Sequence, residues 1–186
     1  MPLTLNELNS ADQPMQSSAN GYQPIMDILV QIQRAQDANA LLAALSMVYI
    51  GIDTFAWLST DKPHADRNSF IEWVNTYLTS GPTQPYQYDG LDVYAARCAF
   101  MHTYGSVSNL HGKANPPKHF GYLDNGPHQV DVKEPLVLIS IAELIHDFHR
   151  ATTTFLEKIK TNQEIKANVE AKIISLMATF DIGSPT

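Results

Sequence analysis

The stretch Leu138-Ile-Ser-Ile141-Ala-Glu-Leu144-Ile145-His-Asp-Phe148-His-Arg-Ala-Thr152-Thr-Thr-Phe155-Leu156-Glu-Lys-Ile159 decides the fold class. Ile141, Leu144, Ile145, Phe148, Thr152, Phe155, Leu156 and Ile159 recur at three- and four-residue spacing, which places them on one face of a helix for about six turns. A stripe of that length has to be covered by other helices, so an α-helical bundle is expected.

The neighbouring segments supply the covering helices. Pro24 stands where a helix can begin, and Ile25, Ile28, Leu29 and Ile32 follow at helical spacing. With Asp37 read as an acidic cap, Leu41, Leu45, Val48, Ile52 and Phe55 form a second stripe, widened by Leu42, Tyr49 and Ala56 into the expected central helix. Asp61-Lys-Pro-His64 interrupts the pattern. Phe70, Trp73, Val74 and Tyr77 then mark a third helix that ends before Ser80-Gly-Pro82. A turn-rich link from Gly81 to Gly90 leads to a fourth, opened by Asp89 or Asp92 and stopped by Gly105. A last helix from Gln163 turns Ile165, Val169, Ile173, Leu176 and Phe180 inward.

Between Ser106 and Pro135, the punctuation by Gly112, Pro116, Pro117, Gly121, Gly126 and Pro127 excludes a long helix. His119–Leu123 and His128–Val132, flanking Asp124-Asn-Gly-Pro127, predict a small β-hairpin. The expected fold is all-α: five to six helices with a small irregular or β-hairpin insertion. Residues 1–22 read as a flexible polar arm and residues 23–182 as the bundle domain.

Twelve basic against nineteen acidic side chains give a net charge of −7, which argues against capture of long nucleic acid by bulk charge. The charge is uneven. From Tyr94 to Leu123 there is no Asp or Glu, and Arg97, Lys113 and Lys118 give the window +3, leaving −10 for the rest. His102, His111 and His119 lie in the same window. The single Cys98 excludes an intramolecular disulfide framework, and its place in a helical pattern suits a small buried thiol. The N-terminal arm has neither the basic start nor the apolar run of a secretory signal, so a cytoplasmic location is expected. The most apolar window, Ala40 to Leu58, is broken by Ser46, Gly51, Asp53 and Thr54 and reads as a core helix, with no membrane partner expected.

The segment that carries chemistry is Leu91-Asp-Val-Tyr-Ala-Ala-Arg97-Cys-Ala-Phe-Met-His102-Thr-Tyr104-Gly105. An arginine offers a permanent charge and a planar fork of donors suited to phosphate, and a histidine moves protons near neutral pH. Five residues separate Arg97 from His102, about 140° around a straight helix, whereas Arg97 and Tyr104 return to nearly one face. Arg97 and His102 therefore meet only if the helix loosens after Met101, or if a twofold-related copy supplies the same groups from the opposite side.

Arg97-Cys-Ala-Phe-Met-His102-Thr-Tyr104 resembles the arginine, four residues, histidine, any residue, tyrosine signature of the HEPN superfamily. That family consists of α-helical bundles that commonly dimerise, and many members are metal-independent ribonucleases, including toxins of bacterial toxin–antitoxin pairs. The resemblance implies catalytic roles for Arg97, His102 and Tyr104, a homodimer, an RNA substrate, an antitoxin protein as partner, and neither cofactor nor metal. It covers the motif directly and the bundle from Pro24 to Phe180 loosely. Family nucleases usually have a polar residue directly after the arginine, where this chain has Cys98.

Each of these residues also has a purely structural reading. His102 would bond the free carbonyls of the helix end, Arg97 would pair with Asp92 or Glu134, and Tyr104 would be a core-edge aromatic. His146 and His149 stand three apart on a helix, a spacing compatible with metal binding, but a solvated helix face is the favoured reading. No phosphate-cradling glycine loop or serine nucleophile elbow is present. The function class competing with the nuclease is a noncatalytic helical dimerisation or interaction module, which Cys98 and the acidic net charge favour.

Overall fold

The computed structural model describes residues 21–81, 87–131 and 135–176. Six α-helices form the body: α1 (Gln23–Asp37), α2 (Leu41–Ser59), α3 (Arg67–Trp73), α4 (Gly90–Thr103), α5 (Ile141–Thr161) and α6 (Gln163–Lys172). Strands β1 (His119–Leu123), β2 (Gln129–Asp131) and β3 (Leu136–Ser140) make a small sheet between α4 and α5. The mostly helical bundle with a small insertion agrees with the sequence reading.

Helix α2 is the centre. It buries Ala44, Leu45, Val48, Tyr49, Ile52, Phe55, Ala56 and Leu58 and touches the other five helices. By length and composition it could cross a membrane, and half of its most apolar window is buried within this fold. Its start differs from expectation. Asp37 is the last residue of α1, where its carboxylate accepts a bond from Gln33 at 2.7 Å, and α2 is preceded by Ala40 with no side-chain cap. The turn between them is made by Asn39 at φ 55°, a left-handed position that asparagine tolerates.

Helix α3 is capped by Asp66, which accepts the Ser69 N–H at 2.8 Å, and passes into a single π-helical stretch, Val74–Leu78. Its Trp73 and Tyr77 join Phe55, Phe148 and Phe155 in an aromatic cluster with ring centroids 5.4–6.2 Å apart. The long α5 stripe read from the sequence is this core: Ile141, Leu144, Ile145, Phe148, Phe155 and Ile159 are all buried. Lys172 at the end of α6 donates to the Trp57 carbonyl at 2.8 Å and to that of Thr60, closing the C-terminal end of α2. Of the residues assigned to the last helix, Phe180 lies outside the described residues.

The start of α4 uses both acids that the sequence proposed as alternatives. Asp89 is the cap and Asp92 returns a bond to the Asp89 N–H, forming a capping box. Gly90 makes the α3–α4 contact possible: a Cβ there would lie 2.4 Å from the Ile71 carbonyl oxygen. Asn75 fixes the same point by accepting the Gly90 N–H at 2.7 Å.

The expected pairing of β1 with β2 does not occur. The order is β1-β3-β2, with β1 parallel and β2 antiparallel to β3. The missing strand is Leu136–Ser140, whose tail Leu138-Ile-Ser the sequence reading merged into α5. A short apolar run fits a buried strand as well as a helix. Ser140 separates the two by accepting the Glu143 N–H at 3.2 Å. Val137 and Ile139 point into the core, and Tyr122 of β1 reaches Tyr49 of α2, hydroxyl to hydroxyl at 2.7 Å. His128 ties the sheet to α5: its Nδ1 accepts the Ser140 N–H at 3.0 Å, and its Nε2 lies 3.5 Å from the buried Asp147 carboxylate.

Candidate functional site

The C-terminal end of α4 carries the motif. Ala95, Ala96, Ala99 and Phe100 are buried there, which holds α4 against α2, α3 and β1 and fixes the direction of the side chains between them. The helix stays regular through Thr103, so the loosening after Met101 that would swing His102 toward Arg97 does not occur. The stop also differs from expectation. Tyr104, not Gly105, takes the left-handed position, at φ 52° and ψ 32°. Its N–H reaches the Phe100 carbonyl at 2.9 Å and the Gly105 N–H that of Ala99 at 3.3 Å, satisfying carbonyls the helix end would leave free.

Arg97 faces α2. Its Nε and Nη2 donate to one oxygen of Asp53, Oδ2, at 2.8 and 2.6 Å, with a quarter of the arginine side chain and a third of the aspartate still open to solvent. The partners named from sequence are otherwise placed: Asp92 accepts the Lys118 N–H at 2.7 Å, and Glu134 lies outside the described residues. Burial pushes the Asp53 carboxyl above the usual carboxylate range, and Arg97 draws it only part of the way back. The pair orients the guanidinium while cancelling much of its charge.

His102 is exposed on α4, and no hydrogen bond or ion pair links it to Arg97 or to a helix carbonyl among the described residues. Tyr104 is 68% exposed, its ring 5.1 Å from Phe100, so it is a surface group and not a core-edge aromatic. Met101 and Val107, close to it in the chain, are exposed as well. A single copy of the chain thus presents a fixed arginine and an open histidine and tyrosine at one helix end without joining them.

Asp53 is the residue the sequence reading missed. Its signal was visible, since it is an acid inside the most apolar window of the chain, and a carboxylate in such a place needs a cation. Cys98 is half-buried beside Arg97; burial first, and then the Cys98 thiol, push the Tyr94 hydroxyl up. In the acid-free window, Lys118 is drawn to Asp92 at 3.6 Å, while His111 and His119 stack with centroids 3.9 Å apart. His149 is partly buried and burial, helped by His146, pushes its imidazole down. Among the described residues no group of three or more His, Cys, Asp or Glu gathers to hold a metal ion. Comparisons of the chain with protein-family models, curated proteins and solved structures found no match.

Proposed function

We propose that this protein is a HEPN-like, metal-independent endoribonuclease whose site is completed by a second copy of the chain. The observation that carries the reading is the α4 end itself: a guanidinium fixed by Asp53, followed within one helix end by a solvent-open His102 and Tyr104. The exposed side chains of Met101 and Val107, close to them in the chain, suit burial against another protomer. In such a dimer, neutral His102 of one copy accepts the proton of an RNA 2'-hydroxyl as that oxygen attacks phosphorus. The protonated His102 of the other copy returns a proton to the leaving 5'-oxygen. Arg97 stabilises the charge growing on the phosphate oxygens, and Tyr104 orients the phosphate by hydrogen bonding. A toxin-type RNase held in check by an antitoxin protein is the setting this reading implies.

The test is incubation of purified protein with single-stranded RNA in a chelator, comparing wild type with Arg97→Ala and His102→Ala. Cleavage by wild type and a loss of about 100-fold or more in either variant is expected. No cleavage by wild type, or equal cleavage by all three, rejects the enzyme. Solution mass tests the shared site, since a strict monomer cannot build it. One observation favours the alternative of a noncatalytic dimerisation module: Asp53 already neutralises the arginine.

A further inference from the structure

The segment Asp124-Asn-Gly-Pro127 joins β1 to β2, and all four of its residues are exposed. Gly126 stands at φ 86°, and a Cβ built there would meet nothing within 4 Å. Among the described residues, neither the Asn125 side chain nor the Gly126 N–H has a hydrogen-bond partner. No other described asparagine is followed by glycine. A glycine leaves its own nitrogen unshielded and the backbone free to turn, so that nitrogen can close on the carbonyl of the side chain before it. The chain holds a second acid-type residue before a glycine, Asp89–Gly90, and there the structure forbids the same approach. The Asp89 carboxylate accepts the N–H groups of Leu91 and Asp92 at 2.8 and 3.1 Å, the Gly90 N–H donates to Asn75 at 2.7 Å, and Gly90 is pressed against the Ile71 backbone.

We propose that Asn125 is a self-modification site, converted without any partner into aspartate and isoaspartate. The Gly126 nitrogen attacks Cγ of Asn125, and the new N–Cγ bond replaces the Cγ–Nδ2 bond. Nδ2 leaves as ammonia, carrying the proton lost from the Gly126 N–H. Water then opens the five-membered imide at either carbonyl, giving aspartate or a residue whose main chain runs through Cβ. Either product places a new carboxylate beside Asp124, directly after the stretch from Tyr94 to Leu123 that has no acid. The fold tolerates the longer main chain, because β3 lies between β1 and β2 and the segment joining them sets no ladder register. The stability change is that of an exposed substitution, under about 0.5 kcal/mol.

The test is prolonged incubation of the folded full-length protein in mildly alkaline buffer, followed by tryptic peptide mapping. The peptide from His119 to Lys133 contains Asn125 and no other asparagine, so it reads this site apart from Asn20, which also precedes a glycine. It is expected to give two products, each heavier by about 1 Da and separable by chromatography. Asn125→Asp supplies the standard for one of them. Asn125→Gln, which would have to close a six-membered ring, leaves the peptide unmodified. Conversion at Asn125 is expected to run about tenfold or more faster than at Asn39, Asn68, Asn109 or Asn162, and Asp89 forms isoaspartate only when the chain is unfolded in urea. An unmodified His119–Lys133 peptide, a rate equal to those other asparagines, or isoaspartate at Asp89 of the folded protein as fast as at Asn125, overturns the proposal.

Discussion

The Arg97–Asp53 pair makes a stability prediction that needs no assumption about function. A hydrogen bond to a charged group contributes about 1.5–3 kcal/mol when sheltered, and an exposed ion pair about 0.2–1 kcal/mol. With side chains 24% and 31% exposed, this pair falls between those limits, so a coupling of about 1–2 kcal/mol is expected. The assay is a double-mutant cycle of Asp53→Asn, Arg97→Gln and both together, by urea unfolding at neutral pH. With an m-value of about 2 kcal/mol/M, the coupling corresponds to about 0.5–1 M in midpoint. Its pH dependence follows from the direction of the Asp53 shift. The folded carboxyl holds its proton to higher pH than the unfolded one, so between the ordinary value of 3.8 and the folded value the native state binds more protons. Stability from this group then falls as pH rises through that window, opposite in sign to an ordinary salt-bridged aspartate. The coupling disappears on the acid side, where Asp53 protonates. In Arg97→Gln the window moves further upward, because the one influence lowering the carboxyl has been removed. A coupling below about 0.3 kcal/mol, or one unchanged after Asp53 is protonated, would refute the reasoning.

Three further outcomes test the neighbourhood of the site. Tyr122→Phe leaves the Tyr49 hydroxyl, which is 0% exposed, without its partner, and is expected to cost about 1–3 kcal/mol in urea unfolding. Tyr49→Phe leaves a hydroxyl nearer solvent and costs less, and the double variant costs less than the sum of the two. Because burial pushes the Tyr122 hydroxyl up to about 12, ultraviolet titration should show its phenolate only near that pH. Tyr104→Gly relieves a left-handed non-glycine residue while giving up little buried surface. It should stabilise by about 1 kcal/mol, raising Tm by roughly 2–4 °C in a thermal melt, even as it removes the hydroxyl proposed to orient phosphate. A lower Tm would mean that the Phe100 ring contact outweighs the backbone strain.

What the sequence alone determined is the set of helices and their inner faces. The stripes of α1, α2, α3 and α5 are local patterns of period 3.6, and burying them requires no knowledge of what covers them. The acids at the start of α4 were likewise readable, because a capping box is a contact within four residues. Tertiary structure decided everything that depends on residues distant in the chain. Leu136–Ser140 became a strand because β1 and β2 lie on either side of it, although its apolar run continues smoothly into α5. Gly105 looked like the helix stop, yet the left-handed turn fell one residue earlier, at Tyr104, whose ring packs on that of Phe100. The same division governs the site. Arginine, histidine and tyrosine were legible as a motif, but which way the arginine turns was set by Asp53, 44 residues away on another helix. A helix fixes the angle between its own side chains, and only the packing of one helix on another decides which of them find a partner.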